Sequence, residues 1–141
     1  QEGKAIYNFP RPVMDSGDLN FSFSGLKSSV INFVHNNRQK NIELDVKDVS
    51  ASFQEAVIDV LINKTKAAIE KHPVKQLIIG GGVAANKGLR RRVFEEIPNV
   101  EIIIPKMQYC TDNAAMIAAA AYYKYKKDGP LPNYLLGGYS T

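Results

Sequence analysis

Cysteine and histidine are scarce in this sequence, and each scarcity excludes something. The one cysteine, Cys110, rules out an internal disulfide and fits a reducing compartment. The two histidines, His35 and His72, fall on different predicted helices and form neither an HxxxH nor an HExxH pattern, so no histidine-built metal centre is visible. No apolar run approaches the length of a membrane span, and no secretory signal opens the chain. Both common nucleotide fingerprints are missing: there is no GxGxxG, and no Lys-Ser/Thr follows the glycines as a P-loop requires. No Ser-His-Asp or Cys-His set suggests a hydrolase.

What remains is an ordinary globular composition. The 141 residues suffice for one domain with a real core, and 45% hydrophobic against 23% charged residues argues against disorder. Eighteen Lys and Arg against fourteen Asp and Glu give +4, a balance that tolerates an RNA partner without requiring one. The opening QEGKAIYNFPRP has no initial Met and reads as the interior of a longer chain, so a fragment is expected.

Residues 1–18 read as an irregular entry segment, 19–128 as the α/β core and 129–141 as an irregular tail of a single lobe. Asn20 to Phe23 alternates polar and aromatic residues, the pattern of an edge strand. Leu26, Val30, Phe33 and Val34 predict an amphipathic helix over 26–37. Val46 to Lys71 reads as a long helix capped by Asp48 or Ser50, with rows marked by Phe53, Val57, Val60, Leu61, Lys64 and Ala68, and stopped by Pro73 after a dipole-favoured His72. Leu77 to Ile79 and Val100 to Ile104 are apolar throughout, as expected of parallel strands covered on both faces. The helix between them, from Val83 or Ala84 to Glu96, completes a βαβ unit. A last helix runs from Asp112 or Asn113 to about Lys127.

Within this frame QLIIGGGVAANKGLR, from Gln76 to Arg90, is the most informative stretch. Gly80, Gly81 and Gly82 permit a turn that brings backbone close to a ligand, and a helix starting at once would aim free N–H groups at it. The same residues also suit a tight turn with no ligand. Directly before an alanine-rich helix, Asp112 or Thr111 reads as an N-cap, or Asp112 as a carboxylate at the C-terminal mouth of the sheet, where α/β folds bind ligands. Ala114, Ala115 and Ala118 to Ala121 leave that helix thin enough to lie close against a neighbour. Cys110 reads as a small buried residue, and His35 as a surface one. Lys87, Arg90, Arg91 and Arg92 form a basic run that suits a solvated face or phosphate contacts. Tyr122, Tyr123 and Tyr125 with Lys124, Lys126 and Lys127 read as an RNA surface or, preferably, a frayed helix end.

Three blocks decide among these readings. FSFSGLKSSV (Phe21 to Val30), GGGVAANKGLR (Gly80 to Arg90) and YCTDNAAMIA (Tyr109 to Ala118), with ASFQEAV (Ala51 to Val57), resemble in order and spacing the C-terminal portion of the TsaD family, also called Gcp or YgjD and formerly O-sialoglycoprotein endopeptidase. The resemblance runs from about Phe9 to Ala121. It implies the C-terminal lobe of an actin- and hexokinase-like ATPase fold, helix-rich with a short, mostly parallel sheet. It also implies cytoplasmic transfer of a threonylcarbamoyl group from threonylcarbamoyl-AMP to the adenosine beside the anticodon of tRNA, with other subunits of the transfer complex as partners.

Carried over by motif, Gly81, Gly82 and Asn86 would hold ATP or threonylcarbamoyl-AMP, and Asp112 would ligate one divalent metal, iron or zinc. No residue is assigned as catalytic, and the FSFSGLK block receives no chemical role. The family's two metal histidines and its first lobe have no counterpart here. The chain alone is therefore expected to be inactive and to self-associate through apolar surface that the first lobe would cover. A docking module without catalysis is the alternative, and the peptidase label finds no support in the residues.

Overall fold

The computed structural model describes residues 3–12 and 17–130. The chain divides into two compact units, Gln1–Ile78 with Lys87–Ile103, and Ile79–Asn86 with Ile104–Thr141.

In the first unit α1 spans Ser24–Gln39, extending past the predicted 26–37 at both ends. It begins early because Lys27 N–H already reaches Phe23 O at 2.9 Å. It ends where Asn41 takes a left-handed φ of 54°, which asparagine tolerates. Helix α2, Val46–Lys71, has the predicted bounds, but its cap is Asp45, not Asp48 or Ser50. Asp45 is extended, and its carboxylate accepts from Lys47 N–H at 2.8 Å. Asp48 is engaged elsewhere, accepting Lys4 N–H at 2.7 Å. Pro73 disfavours helical backbone at His72, where α2 stops.

The entry segment lies along α2 without regular structure. Tyr7 N–H donates to Ser52 Oγ at 3.0 Å, and the Arg11 guanidinium grips Asp59 through two bonds of 2.9 and 2.7 Å. Phe9, Leu26 and Ala56 form a buried cluster wrapped by Tyr7, Phe23, Val30, Phe33 and Val57. The Phe9 and Phe33 rings meet edge to face at 5.4 Å. The edge strand expected at Asn20 to Phe23 is absent. Asn20 N–H bonds the Asp18 carboxylate in a local turn, while Phe21 and Phe23 stack at 6.4 Å.

Helix α2 buries Ala51, Ser52, Ala56, Ile58, Val60, Ile62 and Lys64. That is more than one face, because the entry segment and α3 (Lys87–Glu96) both pack on it. Phe53, one of the residues that mark its rows, is exposed. The buried Lys64 ammonium donates to Asp18 O at 2.6 Å.

Strands β1 (Gln76–Ile78) and β2 (Glu101–Ile103) pair in parallel, Leu77 opposite Ile102, on either side of α3, so the βαβ unit is present. Their burial differs from expectation: Ile78 is 71% and Ile103 41% exposed. Among the described residues the sheet has two strands only. A groove of about 370 Å³ lies beside β1, lined by Phe21, Ala68, Ile69, Val74 and Leu77 among others.

In the second unit, a 3₁₀ turn over Gly82–Ala85 follows the glycines, a second spans Met107–Tyr109, and α4 runs Ala114–Asp128. Every residue of α4 is exposed, so among the described residues its alanines do not make the close packing expected of them. No described helix is long and apolar enough to cross a membrane.

Candidate functional site

Strands β1 and β2 run parallel and in register, so the chain leaves both at the same edge of the sheet. It does so into 79–86 and 104–113, which belong to one unit. These segments carry all four predicted site residues. Gly81 has φ 83°, a conformation closed to ordinary side chains. A Cβ added at Gly80, Gly81 or Gly82 would meet nothing within 4 Å, so the backbone is open to approach on that side. The α-helix expected to start at Val83 or Ala84 does not begin there. The 3₁₀ turn closes with Ala84 N–H to Gly81 O at 3.0 Å, Asn86 turns extended, and α3 starts only at Lys87. With no α-helix starting directly on the glycines, the feature of this turn is its open glycine backbone. Asn86 is half-buried, directly ahead of α3 with the extended backbone of a cap residue.

Asp112 is not a cap. That role belongs to Asn113, which sequence reasoning passed over although an asparagine before an alanine run is itself a cap signal. Asn113 Oδ1 accepts Met116 N–H at 3.0 Å, and its amide donates to Thr111 O at 2.9 Å. One side chain thus fixes both the start of α4 and the turn before it. Asp112, between the two, is exposed and takes no hydrogen-bond or ion-pair partner among the described residues. Cys110 is buried as expected, its thiol facing the carbonyls of Pro105 and Lys106. Among the described residues no three of His, Cys, Asp and Glu come together as a metal could use them.

The basic run on α3 is largely spent inside the first unit. Arg91 pairs with Glu95 at 2.9 Å. Arg92 bridges Glu96 at 2.6 Å, Glu55 at 2.9 Å, and Asp59, which Arg11 also holds. Burial opposes charge on Asp59, but bonds from Arg92 and Arg11 outweigh it and hold the carboxyl below its ordinary value. Bonds from Lys66 and Arg92 do the same for Glu96. Burial likewise opposes the charged Arg92, and Asp59 and Glu96 overcome it, raising its pKa. This cluster joins α2 to α3 and the entry segment; it is not a phosphate surface.

The described residues form a helix-rich α/β protein in which both parallel strands lead into the segments that carry the open glycine turn and Asp112. Sequence comparison narrows the class. A profile of the TsaD family, described as tRNA N6-adenosine threonylcarbamoyltransferase, matches residues 1–119. Proteins of that name from Lactococcus lactis subsp. cremoris (strain SK11) and Streptococcus suis (strain 05ZYH33) are 56% identical over 129 residues and 54% over 127. These alignments take in 89% and 90% of this chain and 38% of each relative. The chain belongs to the tRNA N6-adenosine threonylcarbamoyltransferase family and spans well under half the length of the relatives it matches.

Proposed function

We propose that this chain is the C-terminal lobe, residues 1–141 with its core at 19–128, of a cytoplasmic transferase. The enzyme moves a threonylcarbamoyl group from threonylcarbamoyl-AMP to an adenosine of tRNA. In that reaction the adenosine amine forms a bond to the carbamoyl carbon, the bond from that carbon to the phosphate oxygen breaks, and AMP leaves. The open backbone at Gly81 and Gly82 would face the adenylate phosphate. The Asn86 amide, which both donates and accepts, suits a ribose or base edge. The observation that carries the reading is Asp112: an exposed carboxylate, released from capping by Asn113, in the same unit as the glycine turn.

The larger actin-like fold is supported by what is incomplete here. Among the described residues the outer edge of β1 has no pairing strand and lies beside an apolar groove, and two strands alone do not make an independently stable sheet. The donor set of this chain does not by itself fit a metal centre. Asp112 as a ligand of iron or zinc requires partners from outside the chain, and no step is routed through a metal. By the same reasoning the chain alone is inactive, and its exposed apolar residues drive self-association. Titration of the isotope-labelled chain with ATP tests the nucleotide wall. Amide shifts at Gly81, Gly82 and Asn86 are expected; their absence would favour a docking module that meets the other subunits without gripping nucleotide.

A further inference from the structure

The last two turns of α4 carry an exposed cluster that neither the nucleotide wall nor the core uses. Tyr122, Tyr123 and Tyr125 are 53, 70 and 60% exposed. Lys124, Lys126 and Lys127 lie among them, with Asp128 the only acid of that stretch. A frayed helix end does not describe this segment. Helix α4 continues to Asp128 and stops on Gly129, whose φ of 78° suits glycine and whose N–H closes on Tyr125 O at 2.9 Å. The side chains are arranged as well: the Lys126 ammonium sits 5.3 Å from the Tyr122 ring centre, and the Tyr122 and Tyr123 rings meet at 5.4 Å.

Lysines at a helix C-terminus answer the helix dipole, and one or two would suffice for that. The dipole does not explain three large aromatic rings held in water among them. Cations tracking a backbone, with aromatic faces between them, are the chemistry that grips unpaired RNA: phosphates meet ammonium groups while splayed bases stack on the rings. A protein partner fits less well, because enclosing three like charges against one acid would be costly to desolvate.

We infer that the C-terminal end of α4, through Lys124, Lys126, Lys127 and the three tyrosines, holds a single-stranded stretch of the RNA substrate. This rests on the transferase reading above. It adds a distance: fourteen residues of chain at 1.5 Å each place the contact about 20 Å along α4 from Asp112. The RNA it holds is therefore not the reacting adenosine but a segment of the same molecule at that remove.

The test uses the full-length protein that carries this chain, with unmodified tRNA, and follows binding across a salt series. The triple variant Lys124→Gln, Lys126→Gln, Lys127→Gln is expected to weaken binding about ten-fold near physiological salt and to flatten the log–log salt dependence by about two. Lys→Arg at the same positions restores both. Tyr122→Leu with Tyr125→Leu weakens binding but leaves the salt slope unchanged, which separates stacking from charge. A wild-type protein that binds no tRNA refutes the transferase reading itself. Unchanged tRNA binding by the triple variant refutes the α4 contact alone, as does loss of a protein subunit in place of RNA.

Discussion

Leu26→Ala is the sharpest test of how this chain holds together. Leu26 is fully buried, with Phe9 and Ala56 as its buried neighbours, and it sits in the first turns of α1, inside the FSFSGLK block that the sequence left without a role. Truncation removes three carbons from a site enclosed by the entry segment, α1 and α2; Tyr7–Ser52 and Arg11–Asp59 tie the entry segment to α2, which limits collapse around the gap. The expected loss is about 3 kcal/mol, mid-range for buried leucines. With a urea dependence of roughly 2 kcal/mol per molar, the unfolding midpoint falls by about 1.5 M. The chain contains no tryptophan, so far-UV circular dichroism is the suitable signal. Lys27→Ala, exposed in the same block, should stay within about 0.5 kcal/mol of the parent. If Leu26→Ala is as stable as the parent, or if Lys27→Ala costs as much, the block acts through something other than this core.

Further outcomes follow from the same contacts. Arg92→Leu strips one cation from three carboxylates and should cost about 1–3 kcal/mol, less than a fully buried pair because Glu55 and Glu96 stay partly in water. Asp59 and Glu96 titrate below their ordinary values of 3.8 and 4.5, so their stabilisation is complete above those values and is lost as the pH falls through the lower folded-state ones. Acid unfolding curves should therefore be shallower in Arg92→Leu than in the parent. Asn113→Ala removes the α4 cap and should lower α4 stability by about 1 kcal/mol, read as faster amide exchange in its first turn, whereas Asp112→Ala should not. Sedimentation of the isolated chain should show association rising with concentration, since Ile78, Ile103, Met116 and Ile117 are all exposed; a clean monomer at high concentration would contradict this.

The helices were legible because their signals are local. The bounds of α2 follow from periodicity and Pro73, and the βαβ order follows from two apolar runs around a basic helix. Burial was not legible, because it depends on what covers a surface. Ile78 reads as core from its neighbours, yet the described residues leave it 71% exposed. Caps were misassigned for a related reason. Asp45, Asp48 and Ser50 are equivalent to a propensity argument, and the choice falls to Asp45 because Lys4 claims Asp48 from 44 residues away. At the site, glycines and Asp112 were recognisable by motif. Which of Thr111, Asp112 and Asn113 caps α4 was a matter of turn geometry that spacing does not encode.

Under the proposed function Asp112, without a partner among the described residues, serves the reaction while Asn113 caps α4. That division of roles is tested most directly by Asp112→Asn in the full-length protein, measuring threonylcarbamoyl-adenosine in tRNA by nucleoside mass spectrometry alongside thermal stability. The account predicts unchanged stability with transfer reduced at least about 100-fold, the scale on which a positioned polar group acts in a reaction. Transfer at the parental rate would contradict it.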